Sequence, residues 1–163
     1  LSSIKTSWED IKRGDIKKDW EERTLKGKSK AEDKAKDIYY KKKKEEDREK
    51  AINMIPKFTK SIEYWSDKFN IDFKIPQSEE TLIKYVNSFD SLTNILRART
   101  NKLGYIDELI EEFKEDVGSD DAWLMKFYYG DDNLENVINY LNIMKGVLSI
   151  DSYGTLYMNF YNI

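Results

Sequence analysis

The sequence predicts a mainly α-helical protein, in which a compact bundle of about four to five helices follows a long charged helical arm. Two observations carry this prediction. Apolar residues after Ala51 recur at three- and four-residue spacings, and glycines follow the periodic stretches. Residues 1–50, by contrast, hold 17 Lys and Arg and 13 Asp and Glu but few apolar residues. We therefore predict a charged, extended helical arm at 1–50 and a helical body at 51–163.

The arm and the body carry net charges of opposite sign. The arm is +4, whereas the body, with 11 basic and 18 acidic side chains, is −7. Acidic residues alternate with basic ones in the arm, and they would repel the phosphates that its lysines attract. The charge pattern therefore gives weak support to a nucleic-acid partner, and a protein partner or self-association is the stronger prediction.

The chain contains neither cysteine nor histidine. Disulfides, zinc fingers, iron–sulfur clusters, thiol nucleophiles and histidine-dependent triads are thereby excluded. We expect no cofactor, no metal and no catalysis. No apolar run reaches the length of about 18 residues that a membrane-spanning helix needs, so we expect a soluble protein without a membrane span. The chain begins at Leu1, as a processed product or a fragment would, and its location is left open between a virion and the cytoplasm.

Two small apolar clusters, each centred on a tryptophan, lie in the first half of the arm. Thr6 and Glu9 have capping-box spacing, so a short helix is predicted to begin there and to end at Gly14. Neither cluster is large enough to fold alone, and each would suit a groove on another surface. The clusters either fold back on the same chain or dock on another subunit or protein. The candidate docking residues are Trp8, Ile11, Ile16, Trp20 and Leu25.

A long charged helix is predicted from a Ser29 cap onward, with a narrow apolar stripe that ends near Tyr40. A run of lysines and then of acids follows, and such a helix is held mainly by intrinsic propensity and by pairs such as Glu46 with Lys50. The lysines and tyrosines are candidates for phosphate contact, but a solvated helix face is the favoured interpretation. The residues concerned are Tyr39, Tyr40, Lys41, Lys42, Lys43 and Lys44.

The body opens on the helix that contains Pro56, where we expect a kink or a restart because proline lacks the amide donor. The apolar face of this helix comprises Phe58, Ile62, Trp65 and Phe69. Residues 71–75 then alternate at a period of two, which predicts a short extended segment before a Ser78 cap.

Four further helices are predicted from apolar spacing and from the glycines that follow it. Their expected spans are Leu82 to Leu103, Ile106 to Val117, Ala122 to Tyr129, and about Asp132 to Leu148. Short connections of this kind imply a compact antiparallel bundle. Several tyrosines are expected to be partly exposed and to suit an interface, namely Tyr39, Tyr40, Tyr128, Tyr129, Tyr157 and Tyr161.

The last residues again alternate at a period of two and predict a strand over 155–162. Its candidate edge residues are Leu156, Met158 and Phe160. We expect this strand to pair with residues 71–75 as a short two-stranded β ribbon, or to offer its edge to another chain.

Tyr129 to Asp132 spell Tyr-Gly-Asp-Asp, which resembles motif C of viral RNA-dependent polymerases. In that family the two aspartates bind catalytic magnesium ions on a hairpin between strands. Here the residues from Asn133 to Leu148 have helical periodicity, and the chain is far shorter than a polymerase. The favoured interpretation is that Gly130 ends one helix and that Asp131 or Asp132 caps the next.

Three functions of different classes follow from these features. The preferred one is a non-catalytic structural or assembly protein that acts through protein–protein contacts made by Trp8 and Trp20. A composition rich in Lys, Asn, Ile and Tyr resembles small phage proteins from AT-rich genomes, so a virion-internal or scaffold component is the specific expectation. The alternatives are a nucleic-acid-associated accessory protein that uses Lys41 to Lys44, and a carboxylate–metal enzyme built around Asp131 and Asp132.

Overall fold

The computed structural model describes residues 30–151 and 154–163, and these residues form six α-helices. They are α1 (Lys30–Phe69), α2 (Glu79–Arg97), α3 (Lys102–Val117), α4 (Trp123–Tyr129), α5 (Leu134–Ile150) and α6 (Leu156–Tyr161). The prediction of a mainly helical protein with a compact bundle is confirmed. The candidate docking residues between Trp8 and Leu25 and the expected Ser29 cap lie outside the described residues.

The chain divides into two compact units, Leu1–Asp47 and Arg48–Ile163, which we call unit 1 and unit 2. The described part of unit 1 is the N-terminal portion of α1, and its residues 32–47 are all exposed. Unit 2 begins with Arg48, whose guanidinium donates hydrogen bonds to both carboxylate oxygens of Glu80 on α2. The remaining portion of α1 and the other five helices belong to unit 2.

Four helices of unit 2 begin at a side-chain cap, because a short polar side chain can accept a hydrogen bond from a free amide of the first turn. Ser78 accepts from the amide of Thr81, which confirms the predicted cap of α2. Asn101, Asn133 and Thr155 play the same role for α3, α5 and α6. The cap of α5 is therefore Asn133, and the prediction that Asp131 or Asp132 caps this helix is wrong.

The core of unit 2 is dominated by aromatic rings contributed by most of its helices. Phe58 of α1 lies 5.6 Å from Phe160 of α6, and Tyr85 of α2 lies 5.0 Å from Tyr140 of α5, measured between ring centroids. All four side chains are fully buried. Burial of such large apolar surfaces is the main stabilising contribution to a helical bundle.

The C-terminal portion of α1 packs through its predicted apolar face. Phe58, Ile62 and Trp65 are buried, and the indole Nε1 of Trp65 donates to the carbonyl of Phe160 at 2.9 Å. Gly146 on α5 admits the neighbouring ring of Phe69, since a Cβ at this position would lie 2.6 Å from a ring carbon. The face that the spacing predicted is thus the face that unit 2 buries.

The predicted β ribbon is wrong, because no strand occurs within residues 30–151 and 154–163. The second candidate strand, 155–162, is instead helix α6, in which Thr155 caps the amide of Met158 and the i,i+4 pair Leu156 and Phe160 is buried. An apolar alternation this short fits a helix as well as a strand. Met158, the third candidate edge residue, is 62% exposed.

The other half of the predicted ribbon, residues 71–75, is extended, but asparagines of α5 replace the partner strand. The side chain of Asn136 accepts from the amide of Lys74 at 2.8 Å and donates to its carbonyl at 2.6 Å. Asn139 donates to the carbonyl of Asp72 at 2.9 Å. Backbone groups that a ladder would have paired are therefore satisfied by side chains.

Two predicted helix boundaries also differ from the structure. Helix α1 runs through Pro56, so the restart predicted there is wrong. Pro56 is exposed, and solvent can bind the carbonyl of Ile52, to which a proline offers no amide. The predicted helix from Leu82 to Leu103 is two helices, since the mostly polar residues 97–102 allow Asn101 to cap a new one. None of the described helices is long and apolar enough to cross a bilayer.

Candidate functional site

The candidate phosphate-contact residues all lie on the exposed part of α1 in unit 1. Tyr39 and Tyr40 are 61% and 66% exposed, and their rings meet edge to face at 5.7 Å. Lys41, Lys42, Lys43 and Lys44 are exposed as well. Because successive helical residues point about 100° apart, the four ammonium groups spread around the helix and do not form one basic patch. The solvated-face interpretation suits this geometry better than a phosphate site does.

The aspartates of the Tyr-Gly-Asp-Asp motif lie in the turn between α4 and α5. Gly130, with φ 63°, ends α4 in a conformation that glycine adopts readily. Asp132 accepts hydrogen bonds from the hydroxyl of Tyr85, from the amide of Asn133 and from the side chain of Asn136. Its carboxylate therefore holds α2 against the start of α5. Within the described part of the chain, no three side chains of the metal-ligating types come together.

A cleft opens on unit 2 between α2, α3 and α4, with a volume of about 120 Å³. Its apolar wall includes the buried side chains of Leu92 and Phe113. The polar side chains of its lining are two serines, three tyrosines and one carboxylate, namely Ser88, Ser91, Tyr105, Tyr128, Tyr129 and Glu112. A concave, mostly apolar surface with a few converging polar groups is typical of a binding site.

The helix that forms one wall of the cleft also presents exposed aromatic rings. Trp123 and Phe127 of α4 are 59% and 57% exposed, and their rings meet at 5.9 Å. The ammonium of Lys84 lies 5.5 Å from the ring of Phe127. Phe127 in turn contacts Tyr128 of the cleft at 4.9 Å. We call Trp123 and Phe127 the aromatic rim, because large exposed rings beside a cleft are typical of protein-binding surfaces.

The start of α4, which sets the position of the rim, is locally constrained. Ala122 has φ 39°, a left-handed conformation that costs energy for a residue with a Cβ. The carboxylate of Asp116 accepts from the amides of Leu124 and Met125 at 3.3 and 2.9 Å, and it holds the helix N-terminus in place. The first turn of α4, including Trp123, is therefore fixed to the end of α3.

Acidic side chains surround the cleft on the α3 side. Burial raises the pKa of Tyr105, and nearby Glu112 and Glu108 raise it further, whereas Arg99 acts in the opposite direction. The guanidinium of Arg99 lies 4.5 Å from the centroid of the Tyr105 ring. One ring of this cleft thus already attracts a cation from the same chain.

The sequence patterns predicted neither the cleft nor the aromatic rim. Tyr105, Leu109 and Glu112 have the i, i+4, i+7 spacing of one helix face, so a carboxylate on an apolar face was a detectable signal. Trp123 and Phe127 share a face at i, i+4 in the same way. Of the tyrosines expected to be partly exposed, Tyr128 and Tyr157 are half-buried, whereas Tyr129 and Tyr161 are buried.

Comparison of this chain with protein-family models, with curated proteins and with solved structures gave no match.

Proposed function

We propose that this chain is a non-catalytic structural or assembly protein, in which the N-terminal segment of one copy docks on unit 2 of another. The observation that supports this proposal most is the aromatic rim, where Trp123 and Phe127 are more than half exposed beside a preformed cleft. Exposed tryptophan beside a pocket is the kind of residue that dominates the affinity of protein interfaces.

The occupant that we propose for the rim is the segment from Trp8 to Leu25. It carries two Trp-centred apolar clusters in an otherwise polar stretch of sequence. The segment carries five basic and six acidic side chains, so its docking on unit 2 would depend on apolar contacts of its tryptophans rather than on charge attraction. Two complementary surfaces on one chain are sufficient for association of identical copies.

The exposed residues 32–47 would act as the spacer of this assembly. Every side chain of this portion of α1 is solvated, and its 16 residues rise about 24 Å at 1.5 Å per residue. A helix of this kind is stabilised by propensity and by i,i+4 charge pairs rather than by packing. Its role in the proposal is to separate the docking segment from the folded unit.

Light scattering on the full chain across a range of concentrations tests the proposal. We expect a mass that rises above the 19.4 kDa of one chain as concentration increases. Trp8→Ala with Trp20→Ala should shift this rise to higher concentration, and so should Trp123→Ala. Tyr64→Ala is the matched control, because Tyr64 is also an exposed ring, 45% exposed, but lies on another helix.

The variants also identify which contact carries the association. If the side chains of Trp8 and Trp123 are in contact, the double variant Trp8→Ala with Trp123→Ala should lose less association free energy than the sum of the losses in the two single variants. A mass of one chain at every concentration would overturn the proposal. The virion-internal or scaffold role stays a prediction from composition. Association that appears only with added nucleic acid, and that weakens steeply with salt, would favour the accessory-protein alternative instead.

A further inference from the structure

The cleft between α2, α3 and α4 has walls made of aromatic rings in different planes. The ring of Phe113 stands at 83° to that of Tyr128, with centroids 6.4 Å apart, and at 67° to that of Tyr129, with centroids 5.3 Å apart. Tyr105 adds a fourth ring to the lining. Phe113 and Tyr129 are only 1% and 2% exposed, so a group that enters the cleft would meet chiefly the half-buried rings of Tyr105 and Tyr128.

The charges of the lining have one sign. Glu112 is the one ionisable side chain, other than tyrosines, among the residues that line the described cleft. It is exposed, so its carboxylate remains in contact with water. Aromatic faces together with a nearby carboxylate are the groups that bind organic cations in proteins.

Arg99 provides internal evidence for this preference. Its guanidinium lies over the ring of Tyr105 at 4.5 Å, although Arg99 is not one of the lining residues. The same ring feels the carboxylates of Glu112 and Glu108, which help to raise its pKa. The guanidinium of Arg99 thus lies at the edge of the cleft, where it would compete with a cation from another molecule.

The volume of the cleft limits the size of its occupant. An engineered cavity of about 150 Å³ holds one benzene molecule, so a cleft of about 120 Å³ takes a group of comparable or slightly smaller size. A whole drug-sized ligand would not fit, since such ligands occupy at least about 300 Å³. A single alkylated ammonium group matches this space.

We propose that the cleft binds an alkylammonium group, with Tyr105 and Tyr128 forming its aromatic walls and Glu112 supplying the opposite charge. The group is either the head of a small free amine or the side-chain ammonium of a lysine on another protein. This proposal does not depend on docking of the N-terminal segment, because the cleft and its charges belong to unit 2 alone.

A nuclear magnetic resonance titration of the full chain with tetramethylammonium chloride tests the proposal. We expect saturable shifts of amide signals that are concentrated on α3 and α4 around the cleft. Two probes serve as controls: sodium chloride for ionic strength, and 3,3-dimethylbutan-1-ol for shape without charge. The neutral alcohol should bind at least about tenfold more weakly, because it lacks the cation–π and carboxylate attraction. Equal binding of the alcohol, or shifts dispersed over the surface, would overturn the proposal.

Three substitutions at exposed positions sharpen the test without disturbing the core. Glu112→Gln should weaken binding by about fivefold to tenfold, and Glu115→Gln, on the same helix but outside the lining, should leave it unchanged. Arg99→Gln should tighten binding, because it removes a competing cation. Weaker binding of tetramethylammonium in the Arg99→Gln variant would contradict a cation site beside Arg99.

The source of the ammonium is resolved by comparing tetramethylammonium with one further probe, N-acetyl-lysine methylamide, on the same chain. Tighter binding of tetramethylammonium than of N-acetyl-lysine methylamide would assign the cleft to a small quaternary amine. The opposite order would assign it to a lysine side chain. Failure of both probes to bind would reject the proposal while leaving the assembly function to be decided by light scattering.

Discussion

Helix α1 contains two portions that share one secondary structure and differ in what stabilises it. In unit 1, residues 32–47 bury no side chain, and 12 of these 16 residues are charged. In unit 2, the same helix buries Phe58, Ile62 and Trp65. Propensity and charge pairs hold the first portion, whereas tertiary packing holds the second. A continuous helix therefore says nothing by itself about which of its residues build a core and which remain available for contacts.

The largest expected effect is on the pH dependence of stability, and it comes from tyrosines that are buried in unit 2. Burial raises the pKa of Tyr85, Tyr129, Tyr140 and Tyr161 above the ordinary value of 10.0. The folded state thus favours the protonated phenols. Their contribution to the free energy of unfolding is complete below pH 10 and is lost as the pH rises above it. Each of them can contribute a slope of up to about 1.4 kcal/mol per pH unit.

Denaturant unfolding between pH 8 and pH 12 measures this slope. Tyr140→Phe should reduce it, and Tyr39→Phe with Tyr40→Phe should not, because these two rings belong to the exposed portion of α1. A stability that stays flat to pH 12 would contradict the burial of the four hydroxyls.

The next largest effect is expected for a side chain of the packed portion of α1. Phe58→Ala should lower the free energy of unfolding by about 3–5 kcal/mol, because it opens a cavity among buried rings. Tyr40→Ala, a ring of similar size on the exposed portion, should change it by less than about 0.5 kcal/mol. Urea denaturation followed by near-ultraviolet circular dichroism gives both values. Equal losses would show that the two portions are stabilised alike.

A smaller effect is expected at the turn before α5, where Asp132 joins Tyr85 and Asn136. Asp132→Ala should cost about 1–3 kcal/mol, since it removes the acceptor of the Tyr85 hydroxyl and one of the two acceptors of the Asn136 side chain. Asp131→Ala is the matched control, because Asp131 is exposed and adjacent. If the two substitutions had equal effects on the midpoint of urea denaturation, the structural role of Asp132 would be wrong.

Removal of an unpaired hydroxyl should act in the opposite direction. The hydroxyl of Tyr140 is buried and has no hydrogen-bond partner among the described residues. Tyr140→Phe should therefore raise the free energy of unfolding by about 1 kcal/mol, whereas Tyr85→Phe should lower it, because Tyr85 donates to Asp132. Thermal melts of the two variants distinguish these signs. A loss of stability in both would indicate that the Tyr140 hydroxyl has a partner.

The smallest effect on unit 2 is expected from glycine in the spacer. Ala35→Gly should reduce local helix stability by about 1 kcal/mol through propensity alone. Far-ultraviolet circular dichroism should report less helix, while the urea midpoint read from the aromatic core should stay constant. A shifted midpoint would mean that residues 31–47 contribute to the stability of unit 2.

The sequence predicted the helices and their buried faces where apolar spacing extended over several turns. The face of Phe58, Ile62 and Trp65 is an example, because such a stripe has one stable solution. The ribbon failed because six residues from Leu156 satisfy the helix and strand periods equally, and tertiary burial of Phe160 selects the helix. The side chain of Asn136, which holds residue 74, belongs to no local pattern.

The candidate sites were predicted less well than the fold, and for a physical reason. The cleft combines Leu92, Tyr105 and Tyr128 from three helices, so its shape depends on packing that one-dimensional spacing does not encode. Glu112 is a candidate binding residue only because it lies beside those rings. The lysines from Lys41 to Lys44, by contrast, are exposed as their charge pattern predicts, because exposure of a charged helix needs no tertiary information, and their contact with phosphate stays a prediction.

Amide hydrogen exchange along α1 of the full chain tests the central contrast most directly. We predict rapid amide exchange for residues 31–47, as for an isolated charged helix. Around Phe58, Ile62 and Trp65 we predict exchange only through global unfolding. The change in protection should fall close to the boundary between Asp47 and Arg48. Uniform protection along the whole helix, in a chain that light scattering shows to be a single copy, would contradict it.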